Sequence, residues 1–309
     1  MNRDKTIAVV GAGVIGSSWV ALLVYYGYKV KIVDPSSDAT DRLSTYVRKA
    51  LKTQEEIYGE CSEKGSYLIS RDLQSALESA HFVIESGPEP LETKQDLISV
   101  IDSLLGPEIV IASSTTSHIP SDLQTRCRYP ERVLVAHPFN PPHLIPLVEL
   151  VPSPRTSADS ISVAQCFLEG LGKTTILLRK EMIGHVANRL TAALYQEAVH
   201  LVAEGVVDVQ EIDRAIVHGP GLRWAVMGPH LLYHLSGGEG GMSYYLEHLG
   251  PTQERRWADL GHPKLTLDVR NALIEGVADE ADGRSISEIE RQRDDALQRI
   301  LKALKPLNL

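Results

Sequence analysis

Polar and apolar residues follow two rhythms along this chain of 309 residues. Up to about residue 180, short apolar runs recur between polar stretches. The runs at 7–10, 30–33, 67–69, 82–85, 108–113, 133–136, 147–151 and 174–178 have the length and residue types of strands. Stretches at 14–26, 37–58, 72–79, 93–105 and 158–171 predict helices; in the second, Leu43, Val47 and Leu51 mark one apolar face. Strands alternating with helices predict a mostly parallel sheet covered on both faces. Beyond residue 180 only the helical rhythm continues. It runs over 183–203, with Val186, Leu190, Leu194, Ala198 and Leu201 on one face. It resumes at 230–236, 244–249, 265–277 and from 286 to about 304. Asp208 with Glu211, and Ser285 with Glu288, have the spacing of capping boxes. The pattern predicts an α/β domain at 1–180 and an all-helical domain at 181–309.

The first strand runs directly into Gly11-Ala12-Gly13-Val14-Ile15-Gly16, and a helix follows. Strand, tight turn and helix form the context of a dinucleotide-binding Rossmann turn. Gly11 permits the turn, Gly13 lets backbone approach a pyrophosphate, and Gly16 lets helix and strand pack closely. Val14 and Ile15 open the helix, whose free N–H groups and positive dipole end suit phosphate. The second strand ends in Asp34, 18 residues after Gly16. A carboxylate there bonds ribose hydroxyls and repels a 2′-phosphate, and Pro35-Ser36-Ser37 offers no arginine. The cofactor expected is NAD rather than NADP.

Composition narrows the partners. A formal net charge of −9 argues against a nucleic-acid partner, because phosphate binding needs a basic face. A small anionic substrate needs only a few local cations and stays possible. No apolar run approaches the length of a membrane span, and residues 1–5 lead straight into the first strand without length for a secretory signal. Cys61, Cys127 and Cys166 stand singly, without zinc spacing. The expectation is a cytoplasmic protein with reduced thiols, without a metal, a membrane or a nucleic-acid partner.

Three strand ends carry polar clusters: Glu85-Ser-Gly-Pro-Glu89 with Lys94 following, Ser113-Ser114-Thr115-Thr116-Ser117, and His137-Pro-Phe-Asn-Pro-Pro142. In open α/β sheets ligands lie at the carboxyl ends of strands, so the chemistry is expected there, facing the helical domain. Histidine suits the task of taking a hydroxyl proton as hydride leaves carbon. Glu149, on the next strand, could hold the other ring nitrogen of His137. Thr116 and Asn188 are neutral donors for a substrate oxygen. His118, His143, His185, His230 and His234 read as hydrogen-bonded loop or surface groups, with His143 a candidate for the substrate entrance.

Taken together, Gly11-x-Gly13-x-x-Gly16, Glu85-Ser-Gly-Pro-Glu89 with Lys94, Ser113-Ser-Thr-Thr116, His137-Pro-Phe-Asn-Pro141, Leu147-Val-Glu149 and Gly184-His-Val-Ala-Asn188-Arg189 resemble the 3-hydroxyacyl-CoA dehydrogenase superfamily over essentially the whole length. The resemblance implies His137 as the catalytic base, Glu149 as its orienter and Asn188 at the substrate carbonyl. It implies Glu89 and Lys94 near the nicotinamide-side ribose and Ser114 beside the nicotinamide. The family usually carries serine at the position of Thr116; threonine keeps the hydroxyl, and Ser117 is the alternative donor. A homodimer through the helical domain is implied as well.

Motifs of the helical domain, including Gly221-Leu-Arg223-Trp224-Ala-Val-Met-Gly-Pro229 and Gly237-Gly-Glu-Gly-Gly-Met242, resemble the branch that acts on small free acids. That branch includes the L-carnitine and L-gulonate dehydrogenases, and the motifs look closer to the former. Arg223 could pair with a substrate carboxylate. Trp224, Tyr233, Tyr244, Tyr245 and Trp257 could face a trimethylammonium group, or pack in a core or dimer interface. The expected activity is NAD-dependent oxidation of a small 3-hydroxy acid to the 3-keto acid. The alternatives are an L-gulonate or a CoA-thioester substrate, or a non-catalytic, NAD-binding structural protein.

Overall fold

The computed structural model describes residues 5–61 and 63–305. Eight strands form one sheet: β1 (Thr6–Val10), β2 (Lys29–Val33), β3 (Ser66–Ser70), β4 (Ala80–Glu85), β5 (Ile111–Ser113), β6 (Val133–Pro138), β7 (Leu147–Val151) and β8 (Thr174–Leu177). Their order is β3-β2-β1-β4-β5-β6-β7-β8. β1 to β6 pair in parallel. The order reverses direction beside β1, which opens the crevice where such sheets bind dinucleotides. Gly11 follows β1 at that point.

Central strands are apolar at every position because both faces are covered. Ile7 and Val9 of β1 pack with Trp19, Val20 and Leu23 of the helix Val14–Tyr25 and with Phe167 of the helix Ala158–Glu169. Ala8 and Val10 face the other way, into a core with Ile98 and Ile101 of the helix Leu91–Leu104. The period-two alternation of a strand thus divides one sequence run between two cores.

The sheet is not parallel throughout. β7 runs antiparallel to β6, and β8 runs parallel to β7. Only residues 139–146 join β6 to β7, too few for a parallel crossover, which takes roughly a dozen or more. The connection could therefore only fold back. β5 is shorter than its apolar run, because the turn in which Ile109 N–H donates to Gly106 O (3.2 Å) takes up the start of that run.

After the sheet come the helices Ala187–Ala203, Val209–His218, Pro220–Trp224, Pro229–Ser236, Gly241–Asp259, Leu267–Ala281 and Ile286–Leu304. Both capping boxes form. The first helix begins at Ala187 rather than 183, because Gly184 and His185 adopt left-handed φ of 75° and 52°. The helix Gly241–Asp259 runs ten residues past the predicted 249, through Pro251. Gln253 beyond that proline accepts from the Tyr245 hydroxyl before it (3.3 Å). The short helix Pro220–Trp224 was hidden in the sequence by its flanking glycines.

The chain forms two compact units that divide after Asn188. Residues 181–187 belong with the sheet for visible reasons. Glu181 accepts from the Ser121 backbone and hydroxyl (both 2.6 Å), and Val186 and Ala187 donate to a strand carboxylate described below. In the helical unit, few apolar side chains are buried; Val199, Val209 and Tyr245 are.

Lys173, just before β8, is buried, and among the described residues no carboxylate pairs with it. Its ammonium donates to Pro142 O and Ile145 O (3.0 Å for the latter) and lies 5.7 Å from the Trp19 ring centroid. It closes the β6–β7 loop onto the first helix. Burial pushes its pKa down from 10.5 to about 7.

Two consequences can be measured. A Cβ on Gly16 would lie 1.9 Å from the backbone oxygen of Gly11. Gly16→Ala should therefore lower unfolding stability by about 3 kcal/mol, the upper end for overpacking, read by urea denaturation. For Lys173 the unfolded chain holds the extra proton between about pH 7 and 10.5, so its contribution is full above 10.5 and is lost as pH falls toward 7. Stability of the wild type relative to Lys173→Met should thus rise across that window, by up to about 1.4 kcal/mol per pH unit. A pH-independent difference would contradict this.

Candidate active site

The crevice beside β1 is built from the glycine turn. Gly11 has φ 100°, and its N–H donates to Val33 O (2.8 Å). A Cβ there would sit 2.4 Å from Ser86 O, so the turn can close on the β4 loop only with glycine. A Cβ on Gly13 would meet nothing within 4 Å. Gly13 also caps the helix Val14–Tyr25 without a side chain, which leaves the first N–H groups, around Val14, Ile15 and Gly16, to a ligand.

Asp34, just after β2, accepts from Ala12 N–H (2.7 Å), Ser36 N–H (2.9 Å) and the Ser36 hydroxyl. Burial opposes its ionisation, but these bonds and nearby Arg42 outweigh that and hold the carboxyl below the usual range. A cavity of about 620 Å³ opens here, lined by Gly11, Gly13, Asp34, Ser36, Gly87 and Pro88 among others. Glycine backbone, a free helix terminus and an ionised carboxylate at the switch point fit a dinucleotide. An arginine is nearer than residues 35–37 indicated: Arg42, in the first turn of the helix Ala39–Tyr58, donates to the Ser36 hydroxyl (3.0 Å).

At the end of β4, Glu85 and Lys94 are buried as an ion pair (3.0 Å). The Lys94 ammonium also reaches Gly87 O (3.2 Å) and lies 3.5 Å from Glu89. Its donors are thus turned inward, which places Lys94 behind the loop it supports. Glu89 gathers the loop after β5: Oε1 accepts from the Thr115 hydroxyl (2.7 Å), the Thr116 N–H and hydroxyl (both 3.2 Å) and the Ser117 N–H (3.2 Å). Burial raises its pKa, but the Thr115 bond and Lys94 outweigh this and keep it ionised. Thr116 and Ser117 remain exposed, their hydroxyls 3.3 Å apart. Ser114 accepts from Trp19 Nε1 and the Ser86 hydroxyl (both 3.1 Å), which joins the first helix to two strand ends.

His137 and Glu149 are register partners across β6 and β7. Residues directly opposite on antiparallel strands share a face at short range, and here Nδ1 lies 2.8 Å from Glu149 Oε2. Both are buried. The second carboxylate oxygen, Oε1, accepts from Val186 N–H (2.8 Å) and Ala187 N–H (3.0 Å) at the start of the helix Ala187–Ala203. Burial pushes the Glu149 pKa up, yet the His137 bond and the two N–H bonds more than reverse this. A carboxylate held ionised on Nδ1 makes that nitrogen the N–H donor and leaves Nε2 as the basic one. Asn188, half-buried, is the second residue of the same helix.

One residue at this site escaped the sequence reading. His185 is a hydrogen-bonded loop residue as expected, with Nε2 3.3 Å from Thr115 O, but it is fully buried, 5.0 Å from the His137 ring centroid. Burial pushes its pKa down, which disfavours a positive charge beside His137. Its left-handed backbone, right after Gly184, turns it inward, and apolar periodicity carries no signal for that. Three other histidines are hydrogen-bonded, His118 to Glu89 O (2.7 Å), His143 to the Ser18 hydroxyl (2.8 Å) and His234 to Met242 N–H (3.0 Å), and His230 lines a cavity of the helical unit.

The remaining candidates belong to the helical unit. Arg223 and Trp224 share the short helix Pro220–Trp224. Tyr233, Tyr245 and Trp257 line a cavity of about 510 Å³ with Met242 and Glu254, while Tyr244 stacks on His248 at 3.9 Å instead. Among the described residues there is no cluster of metal-ligating side chains and no helix long and apolar enough to cross a membrane.

The family model for the 3-hydroxyacyl-CoA dehydrogenase NAD binding domain matches residues 6–182, and that for the C-terminal domain matches 184–282. The chain is 43% identical to L-carnitine dehydrogenase of Streptomyces coelicolor over 97% of this chain and 94% of that protein. It is 40% identical to L-carnitine dehydrogenase of Pseudomonas aeruginosa over 99% and 95%. Among solved structures, an NAD-dependent dehydrogenase of 5-formyl-3-hydroxy-2-methylpyridine 4-carboxylic acid superposes with a TM-score of 0.84 at 25% identity, covering 98% of this chain and 99% of that one. With matches across both units and a glycine turn built for the cofactor, the chain belongs to the 3-hydroxyacyl-CoA dehydrogenase family and is an NAD-dependent oxidoreductase acting on CH–OH groups.

Proposed function

We propose that the chain oxidises the 3-hydroxyl of a small free 3-hydroxy acid, with L-carnitine the first candidate. The observation that carries the chemistry is the buried His137–Glu149 pair with Glu149 anchored on two helix N–H groups. When bound, NAD supplies the acceptor for the hydride leaving C3. His137 Nε2 takes the hydroxyl proton. Nδ1–H meanwhile donates to Glu149, whose charge stabilises the imidazolium that forms. Asn188 and the hydroxyl of Thr116, or of Ser117, hold the substrate oxygen. Glu89 keeps that hydroxyl loop in place, Lys94 braces the β4 loop, and Ser114 would contact the nicotinamide half of the cofactor. Gly11, Gly13, Val14, Ile15, Gly16 and Asp34 hold the adenosine half and pyrophosphate.

The substrate reading rests on the full-length similarity to proteins named L-carnitine dehydrogenase. Arg223 supplies a partner for a substrate carboxylate. The aromatic lining of Tyr233, Tyr245 and Trp257 suits a quaternary ammonium, which cannot accept or donate hydrogen bonds and is attracted to ring faces. The helical unit serves as substrate and dimerisation domain. Leu231, Leu267, Ile274 and Ile286 are each more than half exposed in the single chain. A second copy of the chain is the partner proposed to cover them. Single, unbonded cysteines fit a cytoplasmic location.

NADH absorbance with L-carnitine, L-gulonate, L-3-hydroxybutyrate and its CoA ester separates the substrates. Turnover of L-carnitine is the expected result, and preference for the CoA ester would overturn the free-acid reading. His137→Ala should reduce kcat by about 1000-fold or more while NADH binding is retained; near-normal turnover would remove His137 from its role. Glu149→Gln should keep the ring in place but lower kcat by at least about 100-fold. Sedimentation equilibrium should give twice the chain mass of 34.0 kDa, and a single-chain mass would refute the dimer.

A further inference from the structure

Beside the ribose-binding carboxylate stands a cation one hydrogen bond removed from it. Arg42 Nη2 donates to the Ser36 hydroxyl (3.0 Å), and that hydroxyl donates to Asp34 Oδ1, which also accepts from Ser36 N–H (2.9 Å). Asp34, Pro35 and Ser36 line one wall of the cofactor cavity. The order from the cavity outward is therefore carboxylate, serine, guanidinium.

We infer that Arg42 is a latent receptor for an adenosine 2′-phosphate, and that Asp34 alone keeps this chain on NAD. The inference rests on the crevice beside β1 being the cofactor site. A phosphate on the ribose 2′-oxygen meets the Asp34 carboxylate first, and like charges at that range repel. Without the carboxylate, Ser36 N–H and the Ser36 hydroxyl both lose their acceptor, and Arg42 lies one hydrogen bond behind them. Two neutral donors and a planar guanidinium make a phosphate-binding set, since arginine can grip phosphate through two parallel N–H bonds.

Arg42 is free enough to turn toward such a ligand. Its other partner is Asp38, one helical turn earlier, at 2.8 Å. Both side chains are about half exposed or more, at 49% and 64%. Exposed pairs of this spacing contribute little and exchange readily with another anion. The residues directly after Asp34 carry no positive charge, so a receptor must come from the following helix, and Arg42 is the residue there that already touches the Ser36 hydroxyl.

Binding rather than turnover tests this. Dissociation constants for NADH, NADPH and adenosine 2′-monophosphate are measured by calorimetry on the wild type, Asp34→Ser, Arg42→Ala and Asp34→Ser/Arg42→Ala, with Asp34→Asn as a second replacement should the serine variant fail to fold. The wild type should bind NADH and discriminate against NADPH. Removing the carboxylate should tighten NADPH and adenosine 2′-monophosphate at least tenfold. Adding Arg42→Ala should erase most of that gain while leaving NADH affinity within about twofold of the variant with Asp34 replaced. Equal NADPH affinity with and without Arg42, or no gain on removing Asp34, overturns the inference. Failure of the wild type to bind NADH would instead overturn the placement of the cofactor itself.

Discussion

Both oxygens of Glu149 are committed, and much of the site depends on where they point. One accepts from the His137 ring and sets which nitrogen of that ring is basic. The other accepts the backbone N–H groups of Val186 and Ala187, where the next helix begins. A buried carboxylate is costly unless its charge is met by hydrogen bonds and partial positive charge. Here the free N–H groups of a helix terminus and the imidazole meet it together. The same bonds that keep Glu149 ionised also fix Asn188, one residue further along, relative to His137.

That arrangement exists only because β7 turns back on β6. In antiparallel pairing His137 and Glu149 are opposite one another, and the twelve residues between them in sequence become a contact of 2.8 Å. Lys173 secures the same reversal from outside, with its ammonium on two carbonyls of the connecting loop and against the Trp19 ring. Trp19 in turn donates to Ser114, so the loop after His137, the dinucleotide helix and the β5 loop are tied into one framework. Glu85 with Lys94 and Asp102 with Arg132 are two further buried ion pairs in this unit, and each is completed by hydrogen bonds to backbone or hydroxyl groups, as burial of charge requires.

The sheet and helical units make opposite use of apolar residues. The sheet unit divides Ile7, Ala8, Val9 and Val10 between two closed cores. The helical unit spreads residues such as Leu267 and Ile286 over exposed faces, although the two helices with capping boxes start where the sequence placed them. Local signals are sufficient for helices with capping boxes, as at Asp208 and Ser285. They do not say what an apolar helix face is packed against.

By itself the sequence determined the α/β alternation and the glycine turn with Asp34, and it carried His137 and Glu149 in two separate motifs. These rest on short-range requirements: strand period, helix caps, and glycine where a Cβ would strike Ser86 or Gly11 backbone. Only the tertiary structure decided the rest. It reversed β7, turned the Lys94 ammonium inward onto Glu85, buried His185 beside His137, and carried Arg42 to Ser36. Each of these joins residues whose contact follows from chain reversal, burial or helix placement, and none has a periodicity that a linear pattern could display. The eight-residue loop before β7 is the instructive exception, because its length alone forbade a parallel crossover.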